Sequence, residues 1–215
     1  MNIKENLNRI NSSIPNDIVL VAVSKTKPIQ LIMDAYDNGQ RIFGENKVQE
    51  MVAKWESLPK DIQWHMIGNV QRNKVKYMAP FVSLIHGVDS LKLLLEINKQ
   101  AKKNNRIIDC LLQVHIARED TKYGFSYSEL KAVFNEVNSL DNVSVKGLMG
   151  MASFCNDNHI IEKEFRLLKS KFDFYNLNDL NFKILSMGMS GDYDIAIDCG
   201  STMIRVGSKV FGSRD

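Results

Sequence analysis

Apolar residues recur at Ile3, Leu7, Ile10 and Ile14, a spacing that lines one face of an α-helix. Residues 3–14 are therefore expected to form an amphipathic helix, which Pro15, Asn16 and Asp17 end. The next apolar stretch, Ile18 to Val23, is continuous and rich in valine. Such runs suit strands buried on both faces of a parallel sheet. Pro28 then stands where a first helical residue is favoured, because that position needs no N–H partner. The same alternation continues along the chain. It predicts strands at 41–44, 63–67, 83–88, 107–114, 143–148, 183–187 and 203–206. Helices are predicted between them, near 47–56, 71–79, 90–104, 126–139, 159–175 and 192–198. Ser126 and Glu129 have the spacing of a capping box at the start of one of these helices.

Strands that alternate with helices form parallel βαβ units. Eight such units are the number that closes a barrel. The expected fold is thus α/β: a (β/α)8 TIM-type barrel over residues 1–215 as one domain, with an extra N-terminal helix. An open, doubly wound sheet is the alternative the pattern leaves. No linker, repeat or low-complexity stretch interrupts the alternation.

Composition narrows the function classes. The 215 residues suit one domain, and 44% hydrophobic with 25% charged residues is ordinary for a globular protein. A net charge of +3 is too mild to imply a nucleic-acid partner. The basic stretches Gln71 to Lys74 and Lys99 to Arg106 read as solvated helix ends. Cys110, Cys155 and Cys199 form no CxxC pair, so neither a disulfide framework nor a zinc site is suggested. His65, His86, His115 and His159 lack metal-binding spacing, so no metal is expected. The N-terminus is polar, and no targeting or membrane-spanning segment is visible. A soluble, cytoplasmic monomer is expected, with no membrane or nucleic-acid partner.

In such a barrel the site lies at the C-terminal ends of the strands. Val19, Val21, Val23 and Lys25 share one strand parity, so inward valines would put Lys25 at the barrel mouth. A lone lysine there is otherwise a solvated residue. The third strand ends at His65-Met66-Ile67, where a histidine is more simply a core residue with a backbone partner. The seventh strand runs into Ser186-Met187-Gly188-Met189-Ser190-Gly191, and the eighth reads Met203 to Ser208. Glycines and serines after strands seven and eight match the usual phosphate site of this fold. Arg205 shares parity with Gly207 and is expected to point inward beside that loop. A mouth lysine, an inward arginine and a phosphate loop are what pyridoxal 5′-phosphate requires: an amine, a ring-nitrogen partner and N–H donors. A class I aldolase would also use a lysine and a phosphate loop, so it remains open at this point.

Seven segments carry a closer likeness: VAVSKTKP (21–28), FGENKVQE (43–50), QWHMIGNVQRNK (63–74), KYGF (122–125), GLMGM (147–151), LSMGMSGD (185–192) and GSTMIRVGSKVFGSRD (200–215). In these the chain resembles the pyridoxal phosphate homeostasis protein family, small proteins similar to the N-terminal barrel of alanine racemase. The resemblance implies Lys25 as the Schiff-base lysine and Arg205 near the pyridine nitrogen. It implies Ser190, Gly207 and Ser208 around the phosphate, Asn46 and Met187 near the ring, and His65 close to the pocket. Lys47 departs from the family pattern, where tyrosine is common, and Asp194 stands where glutamate is usual. The resemblance also implies a carrier or regulator in intracellular pyridoxal phosphate homeostasis, with no catalytic residue assigned. Transient contact with apoenzymes that use the cofactor follows from that role. A weak racemase-like activity on amino acids is the alternative. Alanine racemase takes a second base from a further domain, for which this chain has no counterpart. One face of the cofactor is therefore expected to lie open.

Overall fold

A computed structural model describes residues 2–119, 123–177 and 181–213. Lys122 of the KYGF segment, and Arg214 and Asp215 of the last segment, lie outside the described residues. Eight parallel strands follow one another around a closed barrel: β1 Val19–Val23, β2 Ile42–Glu45, β3 Gln63–Met66, β4 Leu84–Val88, β5 Ile108–Gln113, β6 Val143–Met149, β7 Ile184–Met189 and β8 Met203–Val206. β8 pairs back onto β1, which rules out the open sheet. The helices are α1 Ile3–Ser13, α2 Ile29–Asp37, α3 Val48–Ser57, α4 Val75–Met78, α5 Leu91–Lys103, α6 Tyr127–Val137, α7 Asn158–Leu177, α8 Tyr193–Asp198 and α9 Ser208–Phe211. The extra N-terminal helix is α1, and its buried face is Ile3, Leu7 and Ile10, as the spacing predicts.

Two helical segments differ from expectation. The single helix expected at 71–79 divides into a 3-10 turn, Arg72–Lys74, and the short α4. α9 was not foreseen, because a helix this short shows no period. The capping box of α6 is present: the Ser126 N–H donates to the Glu129 carboxylate at 2.7 Å. Among the described residues, no helix is long and apolar enough to cross a membrane.

Strand parity divides the core into two layers. Ala22, Phe43, Trp64, Met66, Ile85 and Leu112 face outward and pack with the helices. Val21, Leu84, Leu111, Met149 and Met203 face inward and pack together inside the barrel. Three one-residue irregularities re-aim strand ends; in the first, Ile85 of β4 faces Cys110 but Val88 faces Leu112. Against β5, Cys110 faces Val145 but Leu111 faces Gly147, so Lys146 is the extra residue of β6. Against β8, Ser186 faces Met203 but Met189 faces Arg205, so β7 also carries one residue too many. The irregularities of β6 and β7 each use a glycine at positive φ: Gly147 at 154° and Gly188 at 94°.

A Cβ at Gly147 would overlap the carbonyl of Ile184 on the neighbouring strand. Gly147→Ala is expected to lower the unfolding free energy by about 3 kcal/mol or more, because backbone must move to admit it. Urea unfolding of the purified variant measures this, and a change below about 0.5 kcal/mol would contradict the assignment of the bulge.

Candidate functional site

A cavity of about 560 Å³ opens at the C-terminal ends of the strands. Val23 and Lys25 line it from β1 and its loop, and Asn46, Ile67, Gly68 and Asn69 from the ends of β2 and β3. Gln113, Tyr123, Met151 and Phe154 form the β5–β6 side. Met189, Ser190 and Gly191 follow β7, and Arg205, Gly207 and Ser208 come from β8 and its loop. The charged side chains among these described lining residues are Lys25, Lys27 and Arg205, and all are cationic. The side toward Tyr123, Met151, Phe154 and Met189 is apolar and partly exposed, with Phe154 96% accessible. The Oδ1 atom of Asn46 is buried with no hydrogen-bond partner. Such an acceptor is costly unless something donates to it.

Arg205 is 3% exposed and stands on a column of polar groups inside the barrel. Its Nη1 donates to Ser186 O at 2.9 Å and to Ser186 Oγ at 2.5 Å, and its Nη2 donates to Gly150 O at 3.1 Å. Ser186 Oγ lies 3.1 Å from His86 Nδ1, and His86 Nε2 lies 3.0 Å from His65 Nδ1. Because a guanidinium can only donate, the hydroxyl of Ser186 is left to donate to His86 Nδ1. His86 Nε2–H then donates to His65 Nδ1, a tautomer order assigned from the hydrogen bonds. Burial pushes the His65 imidazole down to about 3. Burial, reinforced by neighbouring His65 and Arg205, holds His86 well below its ordinary value. Burial lowers the Arg205 guanidinium to about 10 against the opposing charge of Asp192, so it stays protonated at neutral pH.

The alanine racemase N-terminal domain family matches residues 1–215. The chain is 40% identical over 198 residues to the pyridoxal phosphate homeostasis protein of Aquifex aeolicus, covering 91% of this chain and 86% of that one. It is 39% identical over 211 residues to the Homo sapiens protein of the same name, covering 91% and 76%. The chain belongs to the pyridoxal phosphate homeostasis protein family. PipY of Synechococcus elongatus, solved with PLP bound, matches with a TM-score of 0.90 at 34% identity, covering 98% of this chain and 100% of that one. Alanine racemase of Clostridium difficile 630 shares the fold, with a TM-score of 0.81 at 15% identity over 57% of its length.

Of the residues that the likeness to the pyridoxal phosphate homeostasis protein family singles out, Lys25, Asn46, Ser190, Arg205, Gly207 and Ser208 come together around the cavity. Ser190 Oγ accepts the Gly207 N–H at 3.1 Å, which joins the β7 and β8 loops. Two residues do not reach the cavity. His65 lies one inward step below Ile67 on the β3 side, 4% exposed, and belongs to the polar column. Met187 is a correction: its side chain packs outward among the helices, fully buried, and Met189 lines the cavity instead. Ser186 faces inward and Met187 outward, and the extra residue of β7 then turns Met189 in. The family departures Lys47 and Asp194 both lie at the surface. Lys47 precedes α3, and Asp194 lies 3.8 Å from Lys209, an exposed pair of little energetic weight.

Several lining residues escaped sequence reasoning. Gln113 and Met151 stand where β5 and β6 end, so the strand-end rule applied to those strands would have found them. Ser186 and His86 carry no local signal, because their role comes from barrel closure. The neutral column gives stability a sign on the pH axis. An unfolded histidine takes a proton near 6.5, whereas these rings stay neutral when folded. The contribution of His65 is therefore complete above pH 6.5 and is lost as pH falls toward about 3, and that of His86 is lost in the same direction. Between pH 7 and pH 5 the unfolding free energy is expected to drop by about 2 kcal/mol per ring. Urea unfolding at the two pH values measures it, and an unchanged free energy would mean the rings are charged in the fold.

Proposed function

We propose that this protein binds pyridoxal 5′-phosphate through Lys25 and acts in the homeostasis of that cofactor, as a carrier more than as a catalyst. The observation that carries the reading is the convergence on one cavity of a lysine amine, a buried guanidinium and the joined Ser190 and Gly207–Ser208 loops. The relatives' names and the PLP-bound PipY structure support it. The residues present also fit such a ligand. The cationic lining suits a phosphate. The unpartnered Oδ1 of Asn46 suits a donor on the ligand. In this reading Lys25 holds the aldehyde carbon as a Schiff base, and Ser190, Gly207 and Ser208 hold the phosphate.

Bound pyridoxal phosphate supplies an electron sink for carbanions, strongest when its ring nitrogen is protonated. Arg205 works against that state. It is charged at neutral pH, and it offers donors but no acceptor to a ring nitrogen. Among the described lining residues there is also no carboxylate or imidazole to move a proton. The chain's own groups thus bind and orient the cofactor and leave it chemically quiet. Release to apoenzymes that use the cofactor is the function this arrangement serves.

Borohydride reduction after mixing with pyridoxal phosphate, followed by peptide mass mapping, tests the anchor. A stoichiometric adduct is expected on Lys25 and its loss in Lys25→Ala, with the thermal melt kept. Labelling at Lys27 or elsewhere in that variant overturns the assignment, and rapid racemisation of amino acids by the wild type overturns the carrier reading. Ser190→Ala is expected to weaken binding of pyridoxal phosphate about tenfold and of pyridoxal less than about twofold. Equal losses in a titration of both would put the phosphate elsewhere.

A further inference from the structure

The segment that presents Lys25 is gripped from behind by a buried ionic cluster. Ser24, fully buried, gives its N–H to Gly44 O at 3.0 Å and its hydroxyl to Glu45 Oε1 at 2.7 Å. Its carbonyl accepts from Lys54 Nζ at 2.8 Å. Lys54 also donates to Glu45 Oε1 and to Glu50 Oε1, both at 2.7 Å. Glu50 Oε1 accepts the backbone N–H of Thr26 at 2.6 Å. The residue before Lys25 and the residue after it are thus tied to one cluster, built from β2 and α3.

Two observations say that this cluster does more than stabilise. Lys54 and Glu45 are almost completely buried, at 7% and 0% side-chain exposure. A buried ion pair generally gains little over apolar packing of the same volume. Glu45 Oε2 is buried with no hydrogen-bond partner, a further cost. Thr26 is held at φ 64°, a left-handed conformation unfavourable for a residue branched at Cβ. Strain of this kind persists only where its surroundings enforce it, and it gathers at functional sites. Here the enforcing contact is the Glu50 carboxylate on the Thr26 N–H.

We propose that Glu45, Glu50 and Lys54 are positioning residues for Lys25, fixing the backbone on both sides of it so that its side chain is presented to the cavity. The inference rests on Lys25 being the covalent anchor. An amine held in place loses less freedom when it bonds to a ligand, so the cluster strengthens the covalent step selectively. The non-covalent contacts, which come from Arg205, Ser190 and the β8 loop, do not depend on it.

That separation supplies the test. Binding of pyridoxal phosphate and of 4-deoxypyridoxine 5′-phosphate, which lacks the aldehyde, is measured for the wild type, Glu50→Ala and Glu50→Gln. Glu50→Ala is expected to weaken pyridoxal phosphate about tenfold and the analogue less than about twofold. Glu50→Gln keeps an acceptor for the Thr26 N–H and is expected to recover most of the loss. Equal weakening of both ligands, or of neither, overturns the proposal, since a merely structural role would not distinguish them. Should Glu50→Ala fail to fold by circular dichroism, Thr26→Gly decides. It loosens the backbone after Lys25 without touching the buried charges, and a loss of about threefold confined to pyridoxal phosphate is expected. No selective loss there overturns the proposal. A wild type that gives no reducible adduct at Lys25 is a different result, and it defeats the anchor reading itself.

Discussion

Closing eight parallel strands on themselves gives each strand one inward face and leaves little room behind it. Most of what this molecule does follows from how that space is shared out along the barrel axis. Part of the interior is taken by Val21, Leu84, Leu111, Met149 and Met203, which fill it with apolar bulk. At inward positions paired with several of these stand His65, Ser186 and Arg205, joined through His86, so a polar column shares the interior with them. Higher up the inward side chains stop meeting across the axis, and the cavity begins. Stability and chemistry therefore share the inward faces of the same strands.

The polar column is expensive, because a guanidinium taken out of water must be compensated in full. Arg205 meets that demand largely with neutral acceptors, while Asp192 adds an opposing charge. It uses two backbone carbonyls and one hydroxyl, and Ser186 O accepts both from it and from the Gly150 N–H at 3.1 Å. The guanidinium keeps its positive charge at the cavity wall. That charge is delivered to the cavity, where Lys25 and Lys27 add to it. The neutral imidazoles below orient Ser186 while adding no charge of their own.

Much of this was legible in the residues. The valine run of β1 fixed the parity of Lys25, and the glycines and serines after β7 and β8 pointed to the cavity wall. What could not be read was the local arithmetic of the sheet. Simple alternation along β7 puts Met189 on the same side as Met187, and the extra residue at Gly188 turns it to the other. Nor could alternation reveal that Lys54, on the buried face of α3, reaches back to the carbonyl of Ser24. Its spacing from Glu50 looks like an ordinary surface pair of a helix, and only the packing of α3 against β2 and β3 buries it. His65 was placed near the pocket by likeness alone. It sits one level too low for that, since Ile67 occupies the next inward position.

The seam of the barrel has a consequence in time. β1 lies against β8, with Val21 opposite Arg205, while Asn6 of α1 bonds to Val210 O at 3.0 Å and Lys27 to Gly212 O at 3.1 Å. The two walls of the cavity that matter most thus come from opposite ends of the described chain. On a ribosome Lys25 emerges long before Arg205. Until β8 docks, the sheet has two raw edges, on β1 and on β7, and the nascent protein has no complete cavity to fill. Capture of a ligand is then a certificate of finished folding. Once captured, a molecule touching both strands acts as a clasp across the seam, and mass action raises the cost of reopening it.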